Sequence, residues 1–358
     1  NMSEKKVLAI NPGSTTTKLA VYEGEKLFWE IKINHSPDEL IHFSNVLEQF
    51  DFRKNVIVKA LEEANFDLKE LNAVVGRGGL LRPMESGVYR VNDAMMRDYY
   101  KPMGNHISNL GTALAKEIAG LAGKDVPAFI TDPTCVDEFE DVARLTGLPE
   151  IPRKSLIHAL NQKAVARRYA RENGKNYEEV NVIVPHMGSG ITIGAHKKGR
   201  IIDNTNGLSE GPLTPERAGA LPAVELVDLC FSGEHTKAEI MKKLYGKGGM
   251  MAYLGTNDVL EVQKRAKSGD EKAALVLDAM IYQTAKYIGA MGTVLKGEVD
   301  AIIITGSIAY NEEITNAVIE RVKHIAPVVI YPGEDEMETL AMNGLMVLNG
   351  EIEETVYE

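Results

Sequence analysis

Cysteine, net positive charge and long apolar runs are all missing or scarce in this sequence of 358 residues. Its two cysteines, Cys135 and Cys230, are too few for a disulfide framework and too far apart for a metal-ligand cluster. Lysine and arginine number 40 against 51 aspartate and glutamate residues, which gives a formal net charge of −11. Such a chain lacks the positive field with which proteins bind a nucleic-acid backbone.

No apolar stretch approaches the roughly 18 residues of a membrane-spanning helix. The apolar run at residues 7–10 is also too short for a secretion signal. These absences predict a cytoplasmic protein with no nucleic-acid or membrane partner. The hydrophobic fraction of 44% and the charged fraction of 25% are those of an ordinary globular protein, and the length indicates about two domains.

The chain repeats itself once. Residues 7–26 and 182–201 each read as an apolar strand, a loop of glycine and hydroxyl side chains, a second strand and a turn. Setting Asn11 on His186 aligns Gly13 with Gly188, Ser14 with Ser189, Thr17 with Thr192, Ala20 with Ala195 and Gly24 with Gly199. Each half continues with a helical pattern and a short buried strand that ends in glycine. The expected fold class is therefore α/β, a duplicated fold with mixed sheets flanked by helices.

Hydrophobic spacing predicts the principal helices. They are expected over residues 56–64, 106–122, 155–171, 221–229, 252–267, 275–295 and 338–348. Two prolines within residues 147–153 interrupt the helical pattern on both sides and mark the seam between the halves. The predicted first domain is therefore residues 1–148 with 338–358, and the second is residues 149–337.

Three glycine loops are candidates for phosphate and nucleotide binding. The first, residues 11–18, lies between two strands, where glycine allows close backbone approach and amide and hydroxyl groups can donate to phosphate oxygens. It is not a Walker P-loop, because the required residue order is absent and a strand follows it. The second, residues 186–190, is its counterpart, and the third, residues 305–312, follows a strand and opens a helix. For any one such loop, a plain turn is the alternative.

Two such loops in duplicated halves, followed by a late adenosine loop, resemble the superfamily of acetate and sugar kinases, heat-shock ATPases and actin. The pattern Ile10-Asn11-x-Gly13-Ser14-x-Thr16-x-Lys18 is similar to the N-terminal signature of the acetate kinase family. The resemblance covers essentially the whole chain and is nearest to the branch that acts on butyrate. It implies an actin-like, ribonuclease H-like fold with a central cleft. It also implies ATP/ADP and Mg²⁺ as cofactors, a small carboxylic acid and its acyl phosphate as substrates, and a homodimer or higher homo-oligomer.

The resemblance also assigns roles to individual residues. Catalytic roles fall on Asn11, Arg77, Asp132, His158, His186 and Arg217. Contacts to the nucleotide and its phosphates fall on Ser14, Thr16, Lys18, Gly188, Ser189, Gly190, Gly255, Thr256, Asn257, Gly306, Ile308 and Asn311. Contacts to the acid fall on Gly76, Arg77, Arg82, His106 and Asn109. The metal is assigned to Asn11 and Glu336.

Two departures from the family's pattern leave assignments open. The family has a histidine before its Gly-Gly pair, where this chain has Arg77. Arg77 is therefore taken as the second active-site arginine, with Arg82 as the alternative. In the acidic run 334–338, Glu334 and Glu338 are alternatives to Glu336 for the metal.

This set of residues suits a carboxylate acceptor. A simple carboxylic acid, with a pKa of about 4 to 5, is already deprotonated at pH 7, so it needs no base to remove a proton, unlike a sugar hydroxyl. Its difficulty is repulsion from the γ-phosphate, which two arginines, two histidines and Mg²⁺ would neutralise. The expected reaction is the reversible conversion of butyrate and ATP into butyryl phosphate and ADP, and its physiological direction is open.

Gly76 bears on the length of the acid. Acetate kinases carry a valine at the corresponding position, so the missing side chain is predicted to leave room for two or three more carbons. Isobutyrate, isovalerate, acetate and propionate are alternative acids, and a sugar kinase or a nucleotide-gated ATPase module is a more distant alternative. A dinucleotide oxidoreductase is disfavoured, because the glycines from Gly188 to Gly194 miss the G-x-G-x-x-G spacing by one residue.

Overall fold

The computed structural model describes residues 4–358, which pack into two compact units. Unit 1 comprises the described residues up to Asp137, together with Ala159–Asn161 and Asp335–Glu358; unit 2 comprises Glu138–His158 and Gln162–Glu334. The domain bounds expected from the sequence stay a prediction. No helix among residues 4–358 combines the length and apolar character that crossing a membrane requires.

Unit 1 is built on a six-stranded sheet, with elements numbered here in chain order. Its strands are β1 (Lys6–Pro12), β2 (Thr16–Glu23), β3 (Lys26–Asn34), β4 (Ala73–Gly76), β5 (Val88–Arg90) and β6 (Ala128–Thr131). Its helices are α1 (Pro37–Leu40), α2 (Phe50–Glu63), α3 (Asp93–Tyr99), α4 (Leu110–Ala122) and α13 (Glu336–Leu348), with 3₁₀ turns at Val46–Gln49, Leu68–Glu70 and Ile107–Asn109. The strand order is β3-β2-β1-β4-β6-β5.

Alternation along β1 separates the two faces of this sheet. Leu8 and Ile10 pack with residues of α2 and α4, whereas Val7 and Ala9 pack with residues of α13. Both faces of the strand are therefore covered, and its residues read as a continuous apolar run.

Unit 2 is built on a five-stranded sheet. Its strands are β7 (Asn181–Met187), β8 (Ile191–Lys197), β9 (Arg200–Asn204), β10 (Ala301–Gly306) and β11 (Val328–Pro332). Its helices are α5 (Asp141–Arg144), α6 (Ala159–Glu172, from Gln162 onwards in this unit), α7 (Ala223–Cys230), α8 (Lys237–Leu244), α9 (Gly249–Leu254), α10 (Val259–Lys267), α11 (Glu271–Val294) and α12 (Glu312–Val322), with 3₁₀ turns at Tyr177–Glu179 and Ser307–Tyr310. The strand order is β11-β10-β7-β8-β9, and α11 and α12 cover one face while α6 covers the other.

The two sheets share one plan, which confirms the α/β fold class and the internal repeat. In each, a three-stranded antiparallel meander continues into parallel strands, in the orders β3-β2-β1-β4-β6 and β9-β8-β7-β10-β11. The alignment of the two halves needs one correction in the strands that follow the first and second glycine loops. Asn11 pairs with Lys18 and His186 pairs with Thr192, so Lys18, and not Thr17, is the equivalent of Thr192. The second hairpin is one residue shorter.

The predicted helices differ from the observed ones mainly at their ends. The segment 252–267 forms two helices, α9 and α10, because Gly255 adopts a φ of 71° and ends the first. The segment predicted from residue 155 becomes helical at Ala159. The segment predicted from residue 106 opens with a 3₁₀ turn before α4. Local pattern locates a helix better than it locates the turn where it begins.

A neutral histidine is buried between α6 and the sheet of unit 2. Gln162 donates through Nε2 to the carbonyl of Val184, so its Oε1 accepts a hydrogen bond from His196 Nε2 at 2.7 Å. His196 Nδ1 then accepts the Tyr177 hydroxyl proton at 2.7 Å. Complete burial, followed by the nearby charge of Lys163, holds the pKa of His196 well below its usual range.

Acidification is therefore expected to destabilise the protein through His196. The pKa of this side chain is lower in the folded than in the unfolded state. Its contribution to stability is full above the ordinary pKa of about 6.5 and is lost as the pH falls below that value. Urea unfolding between pH 8 and pH 5 should show a steeper loss in the wild type than in His196→Asn, by at most about 1.4 kcal/mol per pH unit. Equal slopes would show that folding does not lower the pKa of His196.

Candidate active site

The first glycine loop of unit 1 follows a buried asparagine. Asn11, the penultimate residue of β1, is 7% exposed, and its Nδ2 donates to Glu336 Oε2 at 2.6 Å. Its Oδ1 is buried and accepts no hydrogen bond from the described residues. Ser14 and Lys18 are exposed and Thr16 is half-buried. The loop thus presents its side chains to solvent, where a phosphate group could reach them.

Arg77 joins the same corner of unit 1. It directly follows Gly76, the last residue of β4, which pairs in parallel with Ile10 of β1. Arg77 Nη1 lies 3.3 Å from Glu336 Oε2, and the two side chains are 21% and 14% exposed. A pair at this depth is screened by salt less than a surface pair. Asn11 and Arg77 therefore both contact the carboxylate of Glu336, so the structure brings these three predicted residues together.

Asn11 and Glu336 fit a magnesium ion. Mg²⁺ prefers oxygen ligands and usually takes one or two from the protein, with phosphate and water supplying the rest. The unsatisfied amide oxygen of Asn11 and the carboxylate of Glu336 are such a pair. Among residues 4–358, no group of three or more histidine, cysteine, aspartate or glutamate side chains could hold a metal ion. A site with two protein ligands is typical of Mg²⁺ that takes its remaining ligands from nucleotide phosphates and water.

Asp132 is held in a constrained conformation just after β6. Its φ is 40°, in the left-handed region that few residues other than glycine adopt. Its Oδ1 accepts hydrogen bonds from the Ser86 hydroxyl at 2.5 Å and from the Gly87 amide at 3.0 Å. The side chain is 4% exposed. The carboxylate predicted to be catalytic is therefore fixed in one orientation within unit 1.

Two predicted histidines are stacked in unit 2. The ring centroids of His158 and His186 are 4.2 Å apart, with 8° between the ring planes. His158 Nδ1 lies 2.9 Å from the Thr192 hydroxyl, and His186 Nε2 lies 2.6 Å from Glu334 Oε1. Thr192 is also the strand partner of His186. The stack brings both predicted histidines together with fixed ring orientations.

Arg217 packs against the second glycine loop. A Cβ atom added to Gly190 would lie 2.5 Å from Arg217 Nη1, so the guanidinium packs directly against the glycine and would have to move for a larger residue. Arg217 Nη1 donates to the carbonyl of Gly207 at 2.7 Å. Thr214 anchors both parts, because its hydroxyl donates to the Ser189 carbonyl and accepts from the Arg217 amide. Burial lowers the pKa of Arg217 from its usual value.

The second and third glycine loops lie side by side. They leave the carboxyl ends of the neighbouring parallel strands β7 and β10. Gly306 has a φ of 91°, and a Cβ atom there would lie 2.4 Å from the carbonyl oxygen of Met187. A Cβ atom on Gly188 would contact the Ser307 hydroxyl at 3.5 Å. Close backbone approach at the carboxyl ends of parallel strands is the usual setting for a nucleotide site.

The expectation that Gly76 enlarges the acid pocket is wrong. A Cβ atom at Gly76 would lie 2.2 Å from the carbonyl oxygen of Gly111 and 3.1 Å from the Cβ of Ala115. The space beside Gly76 is thus already filled by α4. Glycine at this position allows the helix to pack against β4, and it leaves no additional volume for the acyl chain.

Three further residues predicted to bind the acid have structural partners. The Arg82 side chain pairs with Asp98 at 2.6 Å and donates to the carbonyl of Glu358, so of the two candidate arginines only Arg77 reaches Glu336. His106 accepts the Ser108 amide proton at the start of a 3₁₀ turn. Asn109 uses its amide to accept from Leu80 and to donate to Gly104.

Two residues of the third loop also have structural roles. The side chain of Ile308 is 7% exposed and packs in the hydrophobic core of unit 2, so it is not available to a nucleoside. Asn311 caps the N-terminus of α12 and exchanges two amide hydrogen bonds with Gln263. For these two residues the nucleoside contact stays a prediction, and the structure shows that their side chains also serve packing and capping.

The segment after α9 lies close to Arg217 in the fold. Asn257 Nδ2 donates to Glu216 Oε1 at 2.7 Å, beside Arg217 in the chain. Thr256 instead donates to Glu261 within the first turn of α10. Gly255 supplies the left-handed turn that redirects the chain between the two helices. Of this predicted nucleoside segment, the structure connects Asn257 to the neighbourhood of Arg217.

The sequence analysis did not identify Arg53, whose buried guanidinium binds the backbone of the first glycine loop. It lies in α2 and is fully buried, with its guanidinium bonded to backbone carbonyls of that loop. An arginine in a helix that carries lysine and aspartate nearby is usually taken for a surface residue. The position of Arg53 among the apolar side chains of α2 is the one signal that could have indicated burial.

The chain is similar in sequence and in fold to known kinases. Residues 151–334 match the model described as the acetokinase family. Over 348 residues the chain is 54% identical to "Butyrate kinase 1" of Clostridium acetobutylicum, covering 97% of this chain and 98% of that protein. It is 52% identical over 355 residues to "Butyrate kinase 2" of the same organism, covering 99% of each. Porphyromonas gingivalis acetate kinase superposes with a TM-score of 0.79 at 17% identity, covering 96% of this chain and 100% of that one, a likeness of fold alone.

Proposed function

The chain belongs to the acetokinase family, and from this premise we propose that it transfers the γ-phosphoryl group of ATP to the carboxylate of butyrate. The products are butyryl phosphate and ADP, and the reaction is reversible. The near full-length similarity to two butyrate kinases carries this proposal. The chemistry of the site supports it, because the clustered residues supply positive charge and hydrogen-bond donors for two anionic substrates.

Unit 1 is proposed to hold the acid and the metal. The guanidinium of Arg77 can exchange its contact with Glu336 for the carboxylate of the acid and offset its repulsion from phosphate. Asn11 and Glu336 would hold Mg²⁺, which when bound neutralises charge on the phosphate oxygens. Asp132, fixed by Ser86 and Gly87, orients groups at this site and is not needed as a base.

Unit 2 is proposed to hold the nucleotide and to supply part of the contacts to the phosphoryl group. The second glycine loop and Gly306, where the backbones of β7 and β10 approach closely, would contact the phosphates and the nucleoside. Arg217, buried against Gly190, stabilises negative charge that spreads over the phosphoryl oxygens in the transition state. The stacked His158 and His186 add hydrogen-bond donors whose orientation is fixed by Thr192 and Glu334.

An assay of ADP release with Mg·ATP tests this function. Acetate, propionate, butyrate, isobutyrate, isovalerate and glycerol are compared, and hydroxylamine traps any acyl phosphate. Each buried CH₂ group is worth about 0.8 kcal/mol, or about fourfold in kcat/KM, so butyrate should exceed acetate by about 15-fold. A maximum at acetate would remove the preference for butyrate but keep the carboxylate reaction. Turnover with glycerol alone would favour a sugar kinase, and acid-independent hydrolysis would favour an ATPase module.

The chain is further proposed to form a homo-oligomer through α7. None of the eight residues of this helix is buried, although Val224 and Val227 are 70% and 54% exposed and Phe231, just after it, is 87% exposed. An apolar face of this kind is typical of contact between copies of a chain.

Light scattering at micromolar concentration should give a multiple of the chain mass, and Val227→Asp should lower the measured mass. A monomeric wild type would contradict this part of the proposal.

A further inference from the structure

A buried guanidinium lies beneath the first glycine loop. Arg53 is fully buried, and its Nη1 donates to the Thr16 carbonyl at 2.6 Å and to the Thr17 hydroxyl at 3.0 Å. Its Nη2 donates to the carbonyls of Gly13 at 2.8 Å and Ser14 at 3.3 Å. A single side chain thus binds three backbone carbonyls of the loop, those of Gly13, Ser14 and Thr16, from the protein interior.

These contacts determine which way the loop amides point. In a planar trans peptide, the carbonyl of one residue and the N–H of the next point in opposite directions. Because the Gly13 and Ser14 carbonyls point inward to Arg53, the amides of Ser14 and Thr15 point outward. Both residues are exposed, and none of the described residues accepts a hydrogen bond from either amide. Two successive outward amides without a protein acceptor can donate to the same anion.

The charge of Arg53 adds to this arrangement. Among residues 4–358, no carboxylate forms an ion pair or hydrogen bond with its guanidinium. Its one side-chain partner besides Thr17 is Gln49, which accepts from Nε and Nη2. Burial lowers the pKa of Arg53 to about 10, so the side chain remains charged at pH 7. Because no carboxylate neutralises this buried charge, it produces a positive electrostatic potential at the first glycine loop.

We propose that Arg53 is a positioning residue for phosphoryl binding. It holds the loop carbonyls inward so that the Ser14 and Thr15 amides meet the terminal phosphate of ATP, and its charge favours that phosphate. The inference rests on the proposed function, which supplies the nucleotide. The side chain is buried under the loop and touches no substrate, so it acts through the backbone.

The test is the difference between ATP and ADP binding. Arg53→Lys keeps a charge but loses the forked donors, and Arg53→Met removes both. Each is expected to weaken the binding of Mg²⁺ with β,γ-imido ATP about tenfold or more, since hydrogen bonds to a charged group are lost. The binding of Mg·ADP, which lacks the terminal phosphate, should change less than twofold. Ile57→Ala, which removes a buried side chain of the same helix, should leave both unchanged.

The measurements are calorimetric titrations on variants whose circular dichroism shows a folded chain. Gln49→Leu, which loosens Arg53 without removing it, provides a milder variant if both substitutions of Arg53 prevent folding, and it should weaken imido-ATP binding by a smaller factor. Equal weakening of ATP and ADP binding, or no change in either, would overturn the inference. If wild-type turnover depends on butyrate while the variants bind imido-ATP normally, only the role of Arg53 fails. If the wild type shows no acid-dependent turnover, the proposed function fails, and the ATP and ADP difference still tests Arg53.

Discussion

Arg217→Ala is expected to reduce kcat about a thousandfold, while the KM for ATP changes less than about tenfold. A buried cation acts most strongly where charge develops, and a donor aimed at that charge is typically worth 10²- to 10³-fold in kcat. Arg217 uses one of its five N–H donors on the Gly207 carbonyl, so it keeps donors for phosphoryl oxygens. An interaction realised mainly in the transition state lowers kcat and kcat/KM together.

Two variants separate this role from support of the loop. Arg217→Lys keeps a charge without the fork and should recover part of the rate. Thr214→Val removes the hydroxyl that joins the Ser189 carbonyl to the Arg217 amide, so it loosens the same corner and leaves the guanidinium in place. Its kcat should stay within about tenfold of the wild type. An Arg217→Ala enzyme with normal kcat and a raised KM for ATP would place Arg217 in ground-state nucleotide binding instead.

Much of the fold could be predicted from the repeated pattern of an apolar strand followed by a loop rich in glycine, serine and threonine. This pattern occurs at residues 7–26 and again at residues 182–201. Hairpin pairing and burial then fix which strands neighbour each other, so the repeat in the sequence becomes a repeat in the sheets. The sequence does not show that the second hairpin is one residue shorter, because the pairing of Asn11 with Lys18 and of His186 with Thr192 depends on turn geometry and not on residue type.

The environments of Gly76 and Arg53 could not be predicted from the sequence. The sequence shows that Gly76 lacks a side chain, but only the fold shows that the Gly111 carbonyl occupies the space. Arg53 has a residue type that is rarely fully buried, and its partners are backbone carbonyls, which leave no mark in the sequence. In both cases the deciding partner is a main-chain atom far along the chain.

The acidic run at the start of α13 shows the same limit. Three glutamates alternate over residues 334–338, and the sequence did not decide which would serve the metal. The structure separates their environments. Glu334 contacts His186, and Glu336 contacts Asn11 and Arg77. A hydrogen bond with Asp335, burial, and the charges of Asp335 and Glu25 raise the pKa of Glu338 to about 7.

Glu336→Gln is therefore expected to have the largest effect of the three glutamine substitutions. Neutralising Glu336 removes the charged oxygen that contacts the Asn11 amide, so kcat should fall about a hundredfold or more and the Mg²⁺ concentration for half-maximal rate should rise. Glu338→Gln, two residues further along α13 and therefore on the opposite side of the helix, should leave both values within about threefold. Glu334→Gln should alter kcat through His186 without changing the Mg²⁺ requirement.

Magnesium titration at saturating ATP and butyrate decides between two roles for Glu336. If the carboxylate holds the metal, excess Mg²⁺ should restore part of the Glu336→Gln rate. If it only positions Arg77, which lies 3.3 Å away, added Mg²⁺ should restore nothing, and the KM for butyrate should rise instead. An unchanged Mg²⁺ requirement in Glu336→Gln, together with a raised one in Glu334→Gln or Glu338→Gln, would move the metal assignment to that residue. Because the three carboxylates lie within five consecutive residues yet have different partners, each variant serves as the control for the other two.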